Sequence, residues 1–276
     1  MNFKKYNNLI DLFFEQCEKQ PKNKTFLNNL KNPNVNFTWG DVKSKVLLLA
    51  KEISKIINKG DRCLLISENR PEWMISDLSV MLAGGITVPA YTTYVSRDYE
   101  YIINDCNPTV VLVSNDEQFN KISDICEKNS SIKKIFSFEK LTKINNEKYL
   151  NIEVLFQLGN YNEQDTLEIK IQRSDPACII YTSGTQGNPK GVILSHGGIL
   201  SNCEGGYELL KPILEKETRF LTWLPLSHSY EHTVQFIQIA VGAKVYYAES
   251  IDKLIKNMSQ CSPHIMTAVP RFYQNL

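Results

Sequence analysis

From Arg62 to Phe138 the chain alternates between short apolar runs and longer helix-patterned stretches. The runs are Arg62–Ser67, Ile86–Ala90, Thr109–Ser114 and Lys134–Phe138. Between them lie Pro71–Leu82, Ser96–Cys106 and Glu117–Lys128. Strands separated by helices of this length cannot pair as hairpins. They stack as a parallel sheet with helices on its faces. Local punctuation agrees. Asn69 or Arg70 can cap a helix that Pro71 opens, Gly84-Gly85 stops it, and Ser96 caps the next. The expected fold is α/β, with mixed, mostly parallel sheets flanked by helices.

A helix is expected over Asn8–Lys19 and another over Val42–Ile57, the latter capped within Phe37–Asp41. A second alternation runs from His196 to Val269, with helices over His196–Leu210, His228–Val241 and Asp252–Cys261. Strands are expected at Thr218–Trp223, Lys244–Ala248 and His264–Val269. Lys140–Asp175 is polar and poorly periodic, which suggests a surface excursion between a first α/β subdomain (1–170) and a second (171–276). The chain stops early in a helix-patterned stretch at 270–276, so it reads as part of a longer protein.

Composition narrows the function classes. A net charge of +1 gives no electrostatic case for nucleic acid. The seven cysteines are scattered without a C-x-x-C pair, and no signal peptide opens the chain. No apolar run approaches the length of a membrane span. A reducing cytoplasm is the expected compartment.

The chemistry concentrates in Tyr181-Thr182-Ser183-Gly184-Thr185-Gln186-Gly187-Asn188-Pro189-Lys190-Gly191. Glycines let backbone N–H groups face a ligand, while hydroxyls and one lysine add donors and a positive charge. The Walker pattern does not fit. Pro189 precedes the lysine where glycine is required, and Gly191 follows it where Ser or Thr is required. The β-rich Val192–Leu194 beyond the loop points to strand–loop–strand. On composition alone, a ligand-free hairpin turn stays open.

The whole string, YTSGTQGNPKG, resembles the phosphate-binding signature of the acyl-adenylate-forming (AMP-binding) superfamily, which usually reads [YF]-T-S-G-[ST]-T-G-x-P-K-G. Gln186 stands where threonine is usual. Three further stretches resemble the long-chain fatty acyl-CoA synthetases of that superfamily. They are Ser67–Trp73, Leu224–His232 and Thr267–Tyr273. In the second, the family usually ends in Glu-Arg, so His232 is a departure.

The resemblance implies an N-terminal part of an ATP-dependent ligase. A fatty acid carboxylate would attack the α-phosphate of ATP to give acyl-AMP and pyrophosphate. Coenzyme A would then take the acyl group. Thr182, Ser183, Gly184, Thr185, Gln186, Gly187 and Lys190 would bind the nucleotide phosphates, and Lys190 would act in catalysis. Thr182 would be a ligand of Mg2+, and Gln186 would offer an amide donor in place of a hydroxyl. His228 would line the acyl pocket and join the catalytic set, although its residue type alone suits a helix cap or a core position equally well. Trp223 and Tyr230 read as core, and Arg271 as an ion-pair partner. The adenine and ribose contacts, a second magnesium ligand and a catalytic-lysine domain are implied beyond residue 276, so this chain by itself is expected to be inactive. An aryl- or amino-acid-activating ligase and a non-catalytic nucleotide-binding fragment remain the alternatives. Small molecules are the implied partners. Peripheral membrane contact and a homodimer both stay open, and no basic amphipathic helix supports the former.

Overall fold

A computed structural model describes residues 1–142, 147–158, 167–182, 189–270 and 272. Strands β1 to β6 are Thr25–Asn29, Asn36–Thr38, Arg62–Ile66, Ile86–Ala90, Val110–Val113 and Lys134–Ser137. Strands β7 to β12 are Tyr149–Asn151, Pro176–Thr182, Lys190–Ser195, Arg219–Thr222, Lys244–Tyr247 and Ile265–Met266. Helices α1 to α5 are Leu9–Lys19, Trp39–Ser54, Pro71–Leu82, Ser96–Cys106 and Asp116–Asn120. Helices α6 to α10 are Ser123–Lys128, Ile152–Leu158, His196–Leu210, Ser229–Ala240 and Leu254–Cys261.

Two compact units emerge, and neither is continuous in sequence. One comprises residues 1–42, 69–71 and 199–276, and the other comprises 43–68 and 72–198. The division expected at residue 170 does not match these units. It would cut a sheet of order β7-β6-β5-β3-β4-β8-β9 between β4 and β8. The reason is that β8 joins beside β4, with Thr87 opposite Cys178, instead of starting a new sheet.

In that sheet β3 to β8 run parallel to their neighbours, and only β9 is antiparallel, against β8. The central strands are apolar throughout because both faces are covered. Leu64, Ile66, Val88, Val111 and Val113 pack against Tyr99, Ile102 and Ile103 of α4. The other unit holds a sheet of order β12-β10-β11-β1-β2, antiparallel only between β1 and β2. There Phe26 stacks on Trp39, with ring centroids 3.8 Å apart.

Side-chain caps start several helices as their sequences require. Asn8 Oδ1 accepts from the backbone N–H groups of Ile10 and Asp11 at the head of α1. At α2, Thr38 and Asp41 exchange reciprocal capping bonds. Ser195 Oγ accepts from Gly198 N–H at the start of α8. Ser96 is the first residue of α4 and not its cap. Val95 takes the cap position, and its N–H donates to Asp98. The helix expected over 117–128 is two short ones, α5 and α6, because the buried Ile122 leaves helical backbone (φ −125°, ψ −6°). The polar stretch after Lys140 adds β7 to the sheet edge beside β6 and then forms α7.

All seven cysteines are buried and outside any disulfide. Burial pushes the thiols of Cys106, Cys126 and Cys203 up to about 12, so they pack and do not react. Among the described residues, no helix is long and apolar enough to cross a membrane.

Two buried titratable groups set opposing pH slopes. Burial holds the His196 imidazole down at about 4. The unfolded chain therefore takes up a proton before the native state does, and stability falls as pH drops from about 6.5 towards 4. Burial holds the Glu231 carboxyl up at about 7, so stability falls as pH rises from about 4.5 to 7. His196 and Glu231 belong to different compact units. In Glu231→Gln the fall in stability between about pH 4.5 and 7 should disappear from the unit that carries it, so the stability difference between variant and wild type should grow with pH across that window. Urea unfolding midpoints at four pH values between 4.5 and 7.5 check this, and parallel profiles for the two proteins would contradict it.

Candidate functional site

The loop with the phosphate-binding composition is the turn of the β8–β9 hairpin. Its residues Ser183, Gly184, Thr185, Gln186, Gly187 and Asn188 lie outside the described residues, while both strands that carry it are described. The expected strand–loop–strand context is present, with β9 where a Walker loop would have a helix.

Register decides which side chains face the loop. Thr182 pairs with Lys190, and Tyr181 pairs with Gly191. Directly opposed residues on antiparallel strands share a face, and successive residues alternate faces. Thr182 and Lys190 thus stand side by side, and both are exposed. Tyr181, on the other face, is only 4% exposed. Its hydroxyl donates to Asp105 Oδ2 at 2.5 Å, and its ring meets Tyr101 edge-on with centroids 6.5 Å apart. Burial and the Asp105 bond hold the phenol well above its usual range, so it stays a donor. Gly191 is dictated by space. A Cβ there would lie 2.8 Å from Ile179 Cγ2 and 3.3 Å from Tyr181 Cζ.

The structure therefore brings Thr182 and Lys190 together, and it places His228 in the other compact unit. His228 is the N-cap of α9. Its Nδ1 accepts from the Tyr230 N–H at 3.2 Å. With Nδ1 accepting, the neutral ring carries its proton on Nε2. The side chain is exposed, so the capping alternative holds and the core alternative does not. Tyr230 was expected in the core, but it is 53% exposed on the first turn of α9.

Around His228, three sequence motifs are stitched together by hydrogen bonds that no local pattern announces. The Asn69 side-chain amide donates to the Leu224 carbonyl (2.7 Å) and accepts from the Leu226 N–H (3.0 Å). The Trp223 indole N–H donates to the Thr267 carbonyl (2.6 Å). The Thr267 hydroxyl donates to Glu231 Oε2 (2.6 Å). Glu231 is 1% exposed, and among the described residues its Oε1 has no hydrogen-bond partner. His232 is buried beside Phe236, with ring centroids 5.5 Å apart. Arg271 lies outside the described residues.

From the sequence, Asn69 or Arg70 reads as a helix cap, and Glu231 has no expected role. One signal was available for Glu231. Together with Gln235 and Gln238 it forms a polar i, i+4, i+7 stripe on α9, and all three are buried. Gln238 donates to the Thr222 hydroxyl at 2.8 Å.

Comparison with known proteins extends this picture. Residues 13–276 match the family described as "AMP-binding enzyme". Long chain acyl-CoA synthetase 3 of Arabidopsis thaliana is 31% identical, over 96% of this chain and 42% of its own length. Fatty acyl-CoA synthetase A of Dictyostelium discoideum is 29% identical, over 80% of this chain and 33% of its own. The chain thus spans less than half the length of these relatives. Among solved structures, the luciferase-like enzyme of the nonluminescent Zophobas morio mealworm superposes with a TM-score of 0.83. It covers 99% of this chain and 61% of the enzyme at 18% identity, a likeness of fold alone. With a match that runs through both strands of the hairpin and both compact units, the chain belongs to the AMP-binding enzyme family.

Proposed function

We propose that the full-length protein activates a long-chain fatty acid with ATP, forming acyl-AMP and then acyl-CoA. The observation that carries this reading is the Thr182–Lys190 pair at the mouth of a donor-rich hairpin turn. The names of the relatives support the acyl class.

In the first step a carboxylate oxygen bonds to the α-phosphorus, the bond to the β-phosphate bridging oxygen breaks, and pyrophosphate leaves. Charge accumulates on the departing phosphates, so catalysis is largely positioning and charge stabilisation. Lys190 supplies a mobile point charge at the loop mouth. Thr182 offers a hard hydroxyl oxygen beside it. A hard hydroxyl oxygen suits a magnesium ion that arrives on the nucleotide, and Thr182 would be one of its oxygen ligands. Bound there, magnesium would neutralise phosphate charge. In the second step the coenzyme A thiolate bonds to the acyl carbon, the bond from that carbon to the AMP phosphate oxygen breaks, and AMP leaves. His228, the N-cap of α9, would line the acyl pocket.

Two measurements test the reading. Magnesium tripolyphosphate should bind this chain in titration calorimetry, and Lys190→Ala should weaken it roughly tenfold. Unchanged affinity would remove Lys190 from the clamp. The chain by itself should show only background palmitate-dependent ATP–pyrophosphate exchange, because it spans less than half of its relatives. In the full-length protein palmitate should drive exchange. Exchange driven by benzoate or amino acids instead would overturn the fatty acid assignment, and robust exchange by this chain would show that the remaining length is dispensable.

A further inference from the structure

Tyr181 is the last buried residue before the hairpin opens. Its side chain leaves the sheet on the α4 side and enters a core that also holds Tyr99, Ile102 and Ile103. Two residues of α4, Tyr101 and Asp105, are spaced i, i+4 and so stand on one helix face. Tyr101 meets the Tyr181 ring edge-on, and Asp105 accepts from its hydroxyl. Across the hairpin Gly191 leaves the room that the Tyr181 ring occupies.

A phenylalanine would fill the same volume and make the same ring contact. The hydroxyl adds a directional bond to a carboxylate, the stronger class of hydrogen bond. That bond ties the loop end of β8 to the last turn of α4. Because faces alternate along a strand, fixing Tyr181 on one face fixes Thr182 on the other. The opposed pair then sets where Lys190 stands.

We propose that the Tyr181–Asp105 hydrogen bond is a positioning tether for the phosphate-binding hairpin, holding Thr182 and Lys190 in the orientation that grips a polyphosphate. The proposal rests on the clamp reading above. Tyr181 and Asp105 act through Thr182 and Lys190, and neither touches the ligand.

The test is titration calorimetry of this chain with magnesium tripolyphosphate. Tyr181→Phe and Asp105→Ala should each weaken binding roughly fivefold, and the double variant should be no weaker than either single one. Asp105→Asn keeps an acceptor oxygen and should restore most of the affinity. Urea midpoints accompany each titration. A purely structural bond would lower the midpoint and leave the affinity of the folded protein intact, which would overturn the tether. Fully additive losses in the double variant would overturn it too. No binding by the wild type would overturn the clamp itself, and the tether with it. Should Asp105→Ala fail to fold, Tyr181→Phe decides the matter.

Discussion

The antiparallel register of β8 against β9 is the constraint on which the candidate site depends. A slip of β9 by one residue would carry Lys190 to the face of Tyr181 and away from Thr182. Neighbouring structure opposes such a slip. β8 is itself held on its other edge by β4, with Thr87 opposite Cys178. The Tyr181 ring lies against Gly191, and no other residue on β9 would leave that space. The exposed pair is thus held by what lies beneath it.

Much of this was legible in the residues. The bounds of α3, β4 and α8 match the sequence expectation because each is bracketed by strong local signals, a proline, paired glycines or an abrupt change of period. The hairpin was legible for the same reason, since apolar β-rich runs flank a turn made of glycine and hydroxyl residues. What escaped was non-local. β7 is three residues long and earns its place by pairing with β6, so it carries no periodicity of its own. The compact units depend on β1 lying beside β11 and β8 beside β4, pairings that no window of sequence contains. Asn69 reads as a cap from its neighbours, yet its amide serves the backbone at Leu224 and Leu226.

The second cluster has a different physical character from the hairpin. Thr267, Trp223, Asn69 and Glu231 use side-chain donors and acceptors mostly to satisfy backbone groups or one another. Buried polar groups joined in this way specify one arrangement strongly, since each lost bond leaves a desolvated partner. Glu231 shows the limit of that strategy, for its Oε1 is desolvated without a partner among the described residues, and its proton affinity rises accordingly.

The interleaved units have a consequence for how the chain assembles. β1 sits inside its sheet between β11 and β2, with Leu27 opposite Val245. During synthesis the amino-terminal segment emerges long before its parallel neighbour exists. Residues 43–198 supply every strand of the other sheet and can close first. The early segment, with Phe13, Phe26 and Leu27 destined for the interior, must meanwhile travel uncovered. Long-range parallel pairing of this kind is slow and leaves apolar surface open to wrong partners. The architecture that sets the hairpin firmly in one unit thus leaves the other to be completed last, by segments far apart in the sequence meeting.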